Sequence, residues 1–229
     1  MTVLVVQVVI LAALVAALTL WFVCYPHPSP LVRRWLPERK RWPETQIRGW
    51  LKHGRFHSAF VHHFYRDPER QPPAGTSMLA PADGLVTSAD VRAGTRYLVI
   101  ALSLWDMHVQ RSPLCGKVQS VQSHGEDFMD GEGREFAFLR DKPCPVQTRV
   151  VIASQTVEVA VRLITSLAAR RIETWVNEGD DILRGQRIGR ILLGSTVVLE
   201  LPASANLLVK VGDRVLAGET PVADGVHSS

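Results

Sequence analysis

The chain has 229 residues, 46% hydrophobic and 21% charged, a globular composition with length for one large domain or two small ones. The net charge is +4 and much of the basic excess lies within residues 33–41, so the chain lacks the basic, aromatic-interleaved stripe that a nucleic-acid partner would require. Three scattered cysteines without a CxxC pair exclude a disulfide framework and a structural zinc site, favour a reducing compartment, and leave no predicted metal site.

The first predicted element is an apolar helix near the N-terminus. Residues 3–25 carry no charge and match the roughly 20 residues that a helix needs to cross a bilayer core. A signal peptide would have positive charge before the apolar run and a small-residue cleavage site after it, and neither is evident. Because the basic cluster follows the segment, the positive-inside rule assigns that side to the cytoplasm. We therefore predict a cell-membrane anchor over residues 1–25, with the rest of the protein facing the cytoplasm.

A basic, proline-rich region follows over residues 26–75. It contains two segments that we expect to form short helices near the membrane surface, TQIRGWLKHG and HSAFVHHFYR. From residue 76 onward the sequence changes to short β-rich runs separated by turn residues, as in a sandwich or barrel. The predicted fold is therefore mostly β with a few helices, and residues 76–229 form a compact, largely antiparallel β domain, which would hold any catalytic site.

A short internal repeat lies within the β-rich region. Residues 176–186 (VNEGDDILRGQ) and 209–219 (VKVGDRVLAGE) share the pattern V-x-x-G-D-x-[IV]-L-x-G-[QE] at an offset of 33 residues. Each copy places a Gly-Asp turn before two apolar residues and a second glycine turn. The pattern resembles the half-motif of the lipoyl or biotinyl barrel-sandwich hybrid fold, whereas two copies are too few for a solenoid.

Three clusters offer candidate chemistry. Asp83 precedes glycine in a tight turn, and Asp106, His108 and Arg111 follow one another at spacings of two and three. On a strand, Asp106 and His108 would share a face. The third cluster is the Gly-Ser-Thr of residues 194–196, which interrupts an apolar run that otherwise predicts a buried strand. Taken singly, each cluster also fits a common structural role: a turn, a buried histidine or a β-bulge.

The order of these motifs is more specific than any one of them. FYRDPERQPP, PADG, DMHVQRSPLCGKV, LAARRI and GQRIGRILLGST occur in this sequence and in this order. In this arrangement the chain resembles the phosphatidylserine decarboxylases, proenzymes of the short, membrane-associated type. The resemblance spans residues 64–222, although Arg111 stands where some members carry a second histidine.

The resemblance implies self-cleavage between Gly194 and Ser195. Ser195 Oγ would attack the Gly194 carbonyl, with His108 as the candidate base and Asp83 as the group that orients it. The products would be chains of residues 1–194 and 195–229 that remain associated. Ser195 would become a covalent pyruvoyl cofactor, whose ketone forms a Schiff base with the amine of phosphatidylserine and accepts the electrons released with carbon dioxide.

Two further residues are implied as substrate contacts, Arg111 and Thr196. A guanidinium suits the lipid phosphate or the substrate carboxylate, although a structural salt bridge explains Arg111 equally well. His108 is also a candidate donor of the proton that completes phosphatidylethanolamine.

Two other functions remain open from the sequence. A membrane-anchored adaptor with a barrel-sandwich domain would explain the anchor and the repeat, but not the Gly-Ser-Thr interruption or the DMHVQRSP run. A homologue that no longer processes itself would keep the fold without enzymatic activity. A lipoyl or biotin carrier is disfavoured because no lysine stands at a hairpin tip between the repeat halves.

Overall fold

The structure is a computed structural model, and it describes residues 2–24, 35–125, 146–165, 171–192 and 196–224. It divides into two compact units, Met1–His57 and Ser58–Ser229. The first unit is helical, and the second contains every described strand.

The first unit contains three described helices, α1 (Thr2–Cys24), α2 (Glu38–Arg41) and α3 (Glu44–His53). Helix α3 corresponds to the predicted segment TQIRGWLKHG and ends at Gly54, whose φ of +63° suits a left-handed C-terminal residue. Ile47 is its buried residue, and Trp50 packs edge-on against Trp42 with ring centroids 6.2 Å apart.

Helix α1 consists of apolar and uncharged residues, and its large apolar side chains between residues 4 and 20 are exposed. Within the described part of the chain, no helix combines the length and apolarity required to cross a bilayer. The predicted membrane-crossing anchor over residues 1–25 is therefore not supported.

The second unit begins with α4 (Ser58–Phe64), which lies in the predicted segment HSAFVHHFYR, and continues as a mostly β structure. The described strands are β1 (Met78–Leu79), β2 (Gly84–Arg92), β3 (Thr95–Ala101), β4 (Val109–Arg111), β5 (Gly116–His124), β6 (Gln147–Ala153), β7 (Glu158–Ile164), β8 (Arg171–Thr174), β9 (Asp181–Ile182), β10 (Arg187–Leu192), β11 (Thr196–Pro202), β12 (Asn206–Leu207), β13 (Arg214–Val215) and β14 (Pro221–Asp224).

These strands form three antiparallel sheets. The largest has the order β13-β2-β3-β11-β7-β6-β5-β9, and two three-stranded sheets have the orders β4-β10-β8 and β1-β14-β12. Alternate residues of the large sheet, among them Val150, Leu163 and Leu199, point into one shared apolar core. The predicted mostly β architecture is confirmed.

The repeat seen in the sequence is also a repeat in the structure. In each copy the aspartate side chain accepts a bond from a backbone N–H three residues earlier, at 2.8 Å for Asp180 and 2.9 Å for Asp213. The strands that follow, β9 and β13, pair with β5 and β2 respectively. Both β2 and β5 have nine residues, begin with glycine and shift register after their third residue. Two similar halves therefore build the β unit.

The glycine at the start of each half allows the backbone of a neighbouring strand to approach closely. A Cβ on Gly116 would overlap the carbonyl oxygen of Ala153, and one on Gly84 would overlap that of Ala101. By contrast, Gly49 in the middle of α3 has no heavy atom within 4 Å of its Cβ position.

We expect opposite effects from the same substitution at two of these glycines. Gly116→Ala should lower the free energy of unfolding by about 1–3 kcal/mol, because backbone atoms must shift. Gly49→Ala should raise it by about 0.4–1 kcal/mol, because alanine restricts the unfolded chain and favours the helix. Urea denaturation of both variants measures the difference, and equal effects at the two positions would contradict the close approach at Gly116.

Candidate functional site

In the sequence, the predicted cleavage bond falls between two strands that belong to different sheets. Gly194 and Ser195 are outside the described residues, but strand β10 ends at Leu192 before them and β11 begins at Thr196 after them. Thr196 is buried and pairs on one side with Ala101 and on the other with Ile164. Neighbouring strands of the large sheet therefore flank Thr196, the second residue after the predicted cleavage bond, on both sides.

His108 lies beside the strand that leads to the same bond. Ile191 in β10 donates its backbone N–H to the carbonyl oxygen of His108, at 3.1 Å. The next residue, Val109, begins β4 and pairs with Arg190. The structure thus places the backbone of His108 beside the end of β10, which precedes residues 193–195 in the chain.

The imidazole of His108 is buried, with 3% of the residue exposed. Its Nδ1 lies 2.9 Å from the backbone carbonyl oxygen of Asp106. Because a carbonyl only accepts, Nδ1 must carry the hydrogen, so in the neutral ring Nε2 holds the lone pair. The ring of Phe64 packs against the imidazole, with centroids 4.2 Å apart. This arrangement fixes a tautomer and an orientation that suit a general base.

Asp106 and His108 do not lie on a common strand, the arrangement in which their side chains would share a face. Strand β4 begins only at Val109, and Asp106 lies in a turn in which its carboxylate accepts the backbone N–H of Ser103 at 2.7 Å. The same carboxylate pairs with Arg214. Asp106 therefore orients His108 through its backbone carbonyl, while its side chain holds the turn in place.

The carboxylate of Asp83 pairs with Arg70, whereas the predicted partner was His108. Arg70 donates to both of its carboxylate oxygens, at 2.6 and 2.8 Å, and the backbone N–H of Ala217 adds a third bond at 2.8 Å. The side chains of Arg70 and Asp83 are 5% and 6% exposed. The prediction that Asp83 orients His108 is not supported, because Nδ1 meets the Asp106 carbonyl instead.

Arg70 is a structurally important residue to which sequence reasoning assigned no role. Burial disfavours its charge, but the hydrogen bond and the charge of Asp83 outweigh that effect and raise the pKa of Arg70. Its guanidinium also donates to the carbonyl oxygen of Ala217 at 2.7 Å. Arg70 therefore ties the segment before the β unit to the turn of the second repeat copy.

In the structure Arg111 forms a salt bridge with Asp67, the structural role that the sequence left open beside a substrate contact. It is buried and donates to Asp67 at 2.9 Å and to the carbonyl oxygens of Pro68 and Gly185 at 3.2 and 3.1 Å. Burial, reinforced by the positive charge of Arg187, lowers the pKa of Arg111 despite Asp67. The predicted substrate contact through Arg111 is not supported by these bonds, which occupy its guanidinium within the protein.

Residues 57–223 match the family described as phosphatidylserine decarboxylase. The chain belongs to that family. The match covers the described β unit except its last residue, and includes Asp83, His108 and both strands that flank residues 193–195.

Curated relatives carry corresponding names. A protein of Methanopyrus kandleri named as an archaetidylserine decarboxylase proenzyme is 36% identical over 181 residues, which cover 72% of this chain and 82% of the relative. A phosphatidylserine decarboxylase proenzyme of Solibacter usitatus is 34% identical over 164 residues, or 72% of this chain and 78% of the relative. A further archaetidylserine decarboxylase proenzyme, of Archaeoglobus fulgidus, is 38% identical over 161 residues. No solved structure gave a significant match.

The predicted family and enzyme class are confirmed by these matches: the protein is a decarboxylase of the proenzyme type that acts in phospholipid metabolism. They disfavour the adaptor, which would have explained the anchor and the repeat but not the Gly-Ser-Thr interruption.

Proposed function

We propose that the protein decarboxylates phosphatidylserine, or a serine phospholipid with the same headgroup, to the corresponding ethanolamine lipid and carbon dioxide. The observation that carries the proposal is the position of His108, whose backbone carbonyl accepts the N–H of Ile191 in β10, shortly before residues 193–195 in the chain. The Gly194–Ser195 bond is then the self-cleavage site, and Ser195 is the source of the cofactor.

In this proposal His108 is the base that activates Ser195. A hydroxyl is a weak nucleophile until a neighbouring group takes its proton, and the neutral imidazole has its lone pair on Nε2. The Asp106 carbonyl holds Nδ1, and Phe64 limits rotation of the ring. The proton that His108 takes from Ser195 passes to the amino group released when the Gly194–Ser195 amide breaks. In the processed enzyme, a protonated His108 would donate a different proton to the α-carbon of the product.

The residues present fit a pyruvoyl group at position 195. Such a group would supply a sink for the electron pair that stays on the substrate α-carbon when carbon dioxide leaves. The chain contributes the anchoring of Thr196, which is paired on both sides and buried. Since β11 is a central strand of the large sheet, we expect the fragments 1–194 and 195–229 to stay together after cleavage.

We also propose that the protein works at the cytoplasmic face of the cell membrane, attached through α1. The exposed apolar side chains of this helix and the lipid nature of the substrate support the attachment. The duplicated Gly-Asp turns support a lipoyl-like, barrel-sandwich character for the β unit.

Carbon dioxide release from headgroup-labelled phosphatidylserine in mixed micelles tests the proposal. Wild-type protein should release label, and a carbonyl-trapping reagent such as hydroxylamine should abolish the release. Ser195→Ala should release none. Release by Ser195→Ala at the wild-type rate would overturn the proposed cofactor.

A further inference from the structure

The positive charge of the chain is concentrated in its first unit. Residues 1–57 contain eight of the 26 lysine and arginine residues but only two of the 22 aspartate and glutamate residues, a net side-chain charge of +6 with histidine neutral. The second unit, residues 58–229, holds the remaining 18 basic and 20 acidic residues, a net charge of −2. The excess of +4 in the whole chain therefore comes entirely from the first unit.

The first unit keeps several of these basic side chains at its surface. Helix α3 buries Ile47 but exposes Lys52 in its last turn, and Arg55 is exposed just beyond the end of the helix. Lys40, in the short helix α2, is exposed as well. Ligands in solution or on a surface can therefore approach these charges without any change in the fold. We refer to Lys40, Lys52 and Arg55 as the basic set.

The first unit also exposes apolar side chains. Trp35 is 86% exposed, and the large apolar side chains of α1 are exposed, among them Leu11 at 65%. An indole, which combines an apolar ring with a polar N–H, suits the headgroup region of a bilayer. Basic charge together with exposed apolar side chains is typical of segments that lie on anionic lipid surfaces, whereas a nucleic acid would leave the apolar groups in water.

We propose that the basic set binds the anionic lipid surface that carries the substrate, and that this binding weakens as the substrate is consumed. The weakening rests on the proposed function, whereas the binding does not. The charges are complementary, because a serine phospholipid bears an ionised phosphate, an ionised carboxylate and a single ammonium group, which leaves it anionic. Each lysine or arginine close to such a surface strengthens binding by about fivefold.

Decarboxylation changes the lipid charge that attracts the protein. Carbon dioxide leaves as a neutral molecule, the electron pair of the broken bond stays on the α-carbon, and that carbon takes up a proton. The headgroup thereby loses its carboxylate and becomes an ethanolamine group, whose ammonium balances the phosphate. A bilayer rich in product is less anionic than one rich in substrate, so its electrostatic attraction to the basic set declines with turnover.

Vesicle binding by full-length Ser195→Ala tests the attraction, because this variant lacks the proposed cofactor and leaves the lipids unchanged. Phosphatidylcholine vesicles carry equal mole fractions of phosphatidylserine, phosphatidylglycerol or phosphatidylethanolamine. At low salt, binding to the two anionic lipids should be similar and about tenfold or more tighter than binding to phosphatidylethanolamine. Attachment through α1 contributes to all three vesicles and cancels in the comparison. Equal binding to all three, or tight binding to phosphatidylserine alone, would overturn the proposal.

Matched double variants in the Ser195→Ala background locate the attraction. Lys52→Ala/Arg55→Ala should weaken binding to phosphatidylserine vesicles by about tenfold or more, with little effect on phosphatidylethanolamine vesicles. Alanine is a strong helix former, so α3 should remain intact. Lys117→Ala/Lys210→Ala removes the same charge from exposed positions of the second unit and should change binding by less than about twofold. Equal losses in the two double variants would overturn the assignment to the basic set.

A time course with the wild-type protein tests the weakening. The fraction bound to phosphatidylserine vesicles should fall as carbon dioxide is released, while the bound fraction of Ser195→Ala stays constant. An unchanged bound fraction after most of the accessible phosphatidylserine is converted would overturn the link between reaction and binding. If no carbon dioxide is released but the vesicle preference and the Lys52→Ala/Arg55→Ala loss are as expected, the binding surface stands and the proposed decarboxylation fails.

Discussion

His108→Ala is expected to slow self-cleavage, decarboxylation or both by about 10²–10⁴-fold, the usual contribution of a positioned general acid or base. The substitution removes the nitrogen lone pair that Nδ1 bonding to Asp106 places on Nε2. Two measurements locate the effect: the fraction of cleaved chain by mass against time, and carbon dioxide release per cleaved molecule.

The control for His108 is His53→Ala. His53 also bonds a backbone carbonyl through Nδ1, that of Gly49 at 2.7 Å, but it is exposed on α3. This variant should cleave and decarboxylate as wild type does. Wild-type rates for both reactions in His108→Ala would show that the buried imidazole is structural and that another group is the base.

Arg70→Met is expected to lower the free energy of unfolding by about 3–5 kcal/mol, because it leaves the Asp83 carboxylate buried without its cation. Two bonds from Arg70 to Asp83 and one to the Ala217 carbonyl disappear together. The loss of stability should appear as a lower urea midpoint for unfolding of the second unit, Ser58–Ser229. The double variant Arg70→Met/Asp83→Leu should lose less, since no buried charge then remains unpaired.

An exposed ion pair supplies the comparison for Arg70. Arg48 and Glu44 pair in α3 with side chains 68% and 46% exposed, so Arg48→Met should cost under about 1 kcal/mol. Equal losses in Arg48→Met and Arg70→Met would contradict the proposed importance of burial at Asp83.

Local sequence patterns predicted the repeated turns and the β-rich character, because both depend on residues that are close together in the chain. The repeat was recognisable because each copy needs the same glycines and the same aspartate to close its turn, and the structure places Asp180 and Asp213 in matching hydrogen bonds. The β-rich character followed from short apolar runs between turn residues. On a strand Asp106 and His108 would share a face, but the carboxylate of Asp106 accepts the backbone N–H of Ser103 and the chain forms a turn there instead.

The partners of the site residues were less predictable, because they depend on strand register and on long-range contacts. Arg70 lies 13 residues from Asp83, in a segment with no periodic pattern, and its role follows only from burial beside the carboxylate. Arg149 and Glu200 are 51 residues apart and meet because β6, β7 and β11 align. The resemblance located His108 and Ser195 but could not reveal that a backbone carbonyl orients the imidazole.

The intact mass of purified wild-type protein and of Ser195→Ala tests self-processing most directly. We expect wild type to yield two chains that meet at residues 194 and 195, with the smaller blocked by a pyruvoyl group, and Ser195→Ala to remain one chain. A single uncut wild-type chain that still releases carbon dioxide from phosphatidylserine would contradict the account. Cleavage of Ser195→Ala at the same bond would contradict the assignment of Ser195.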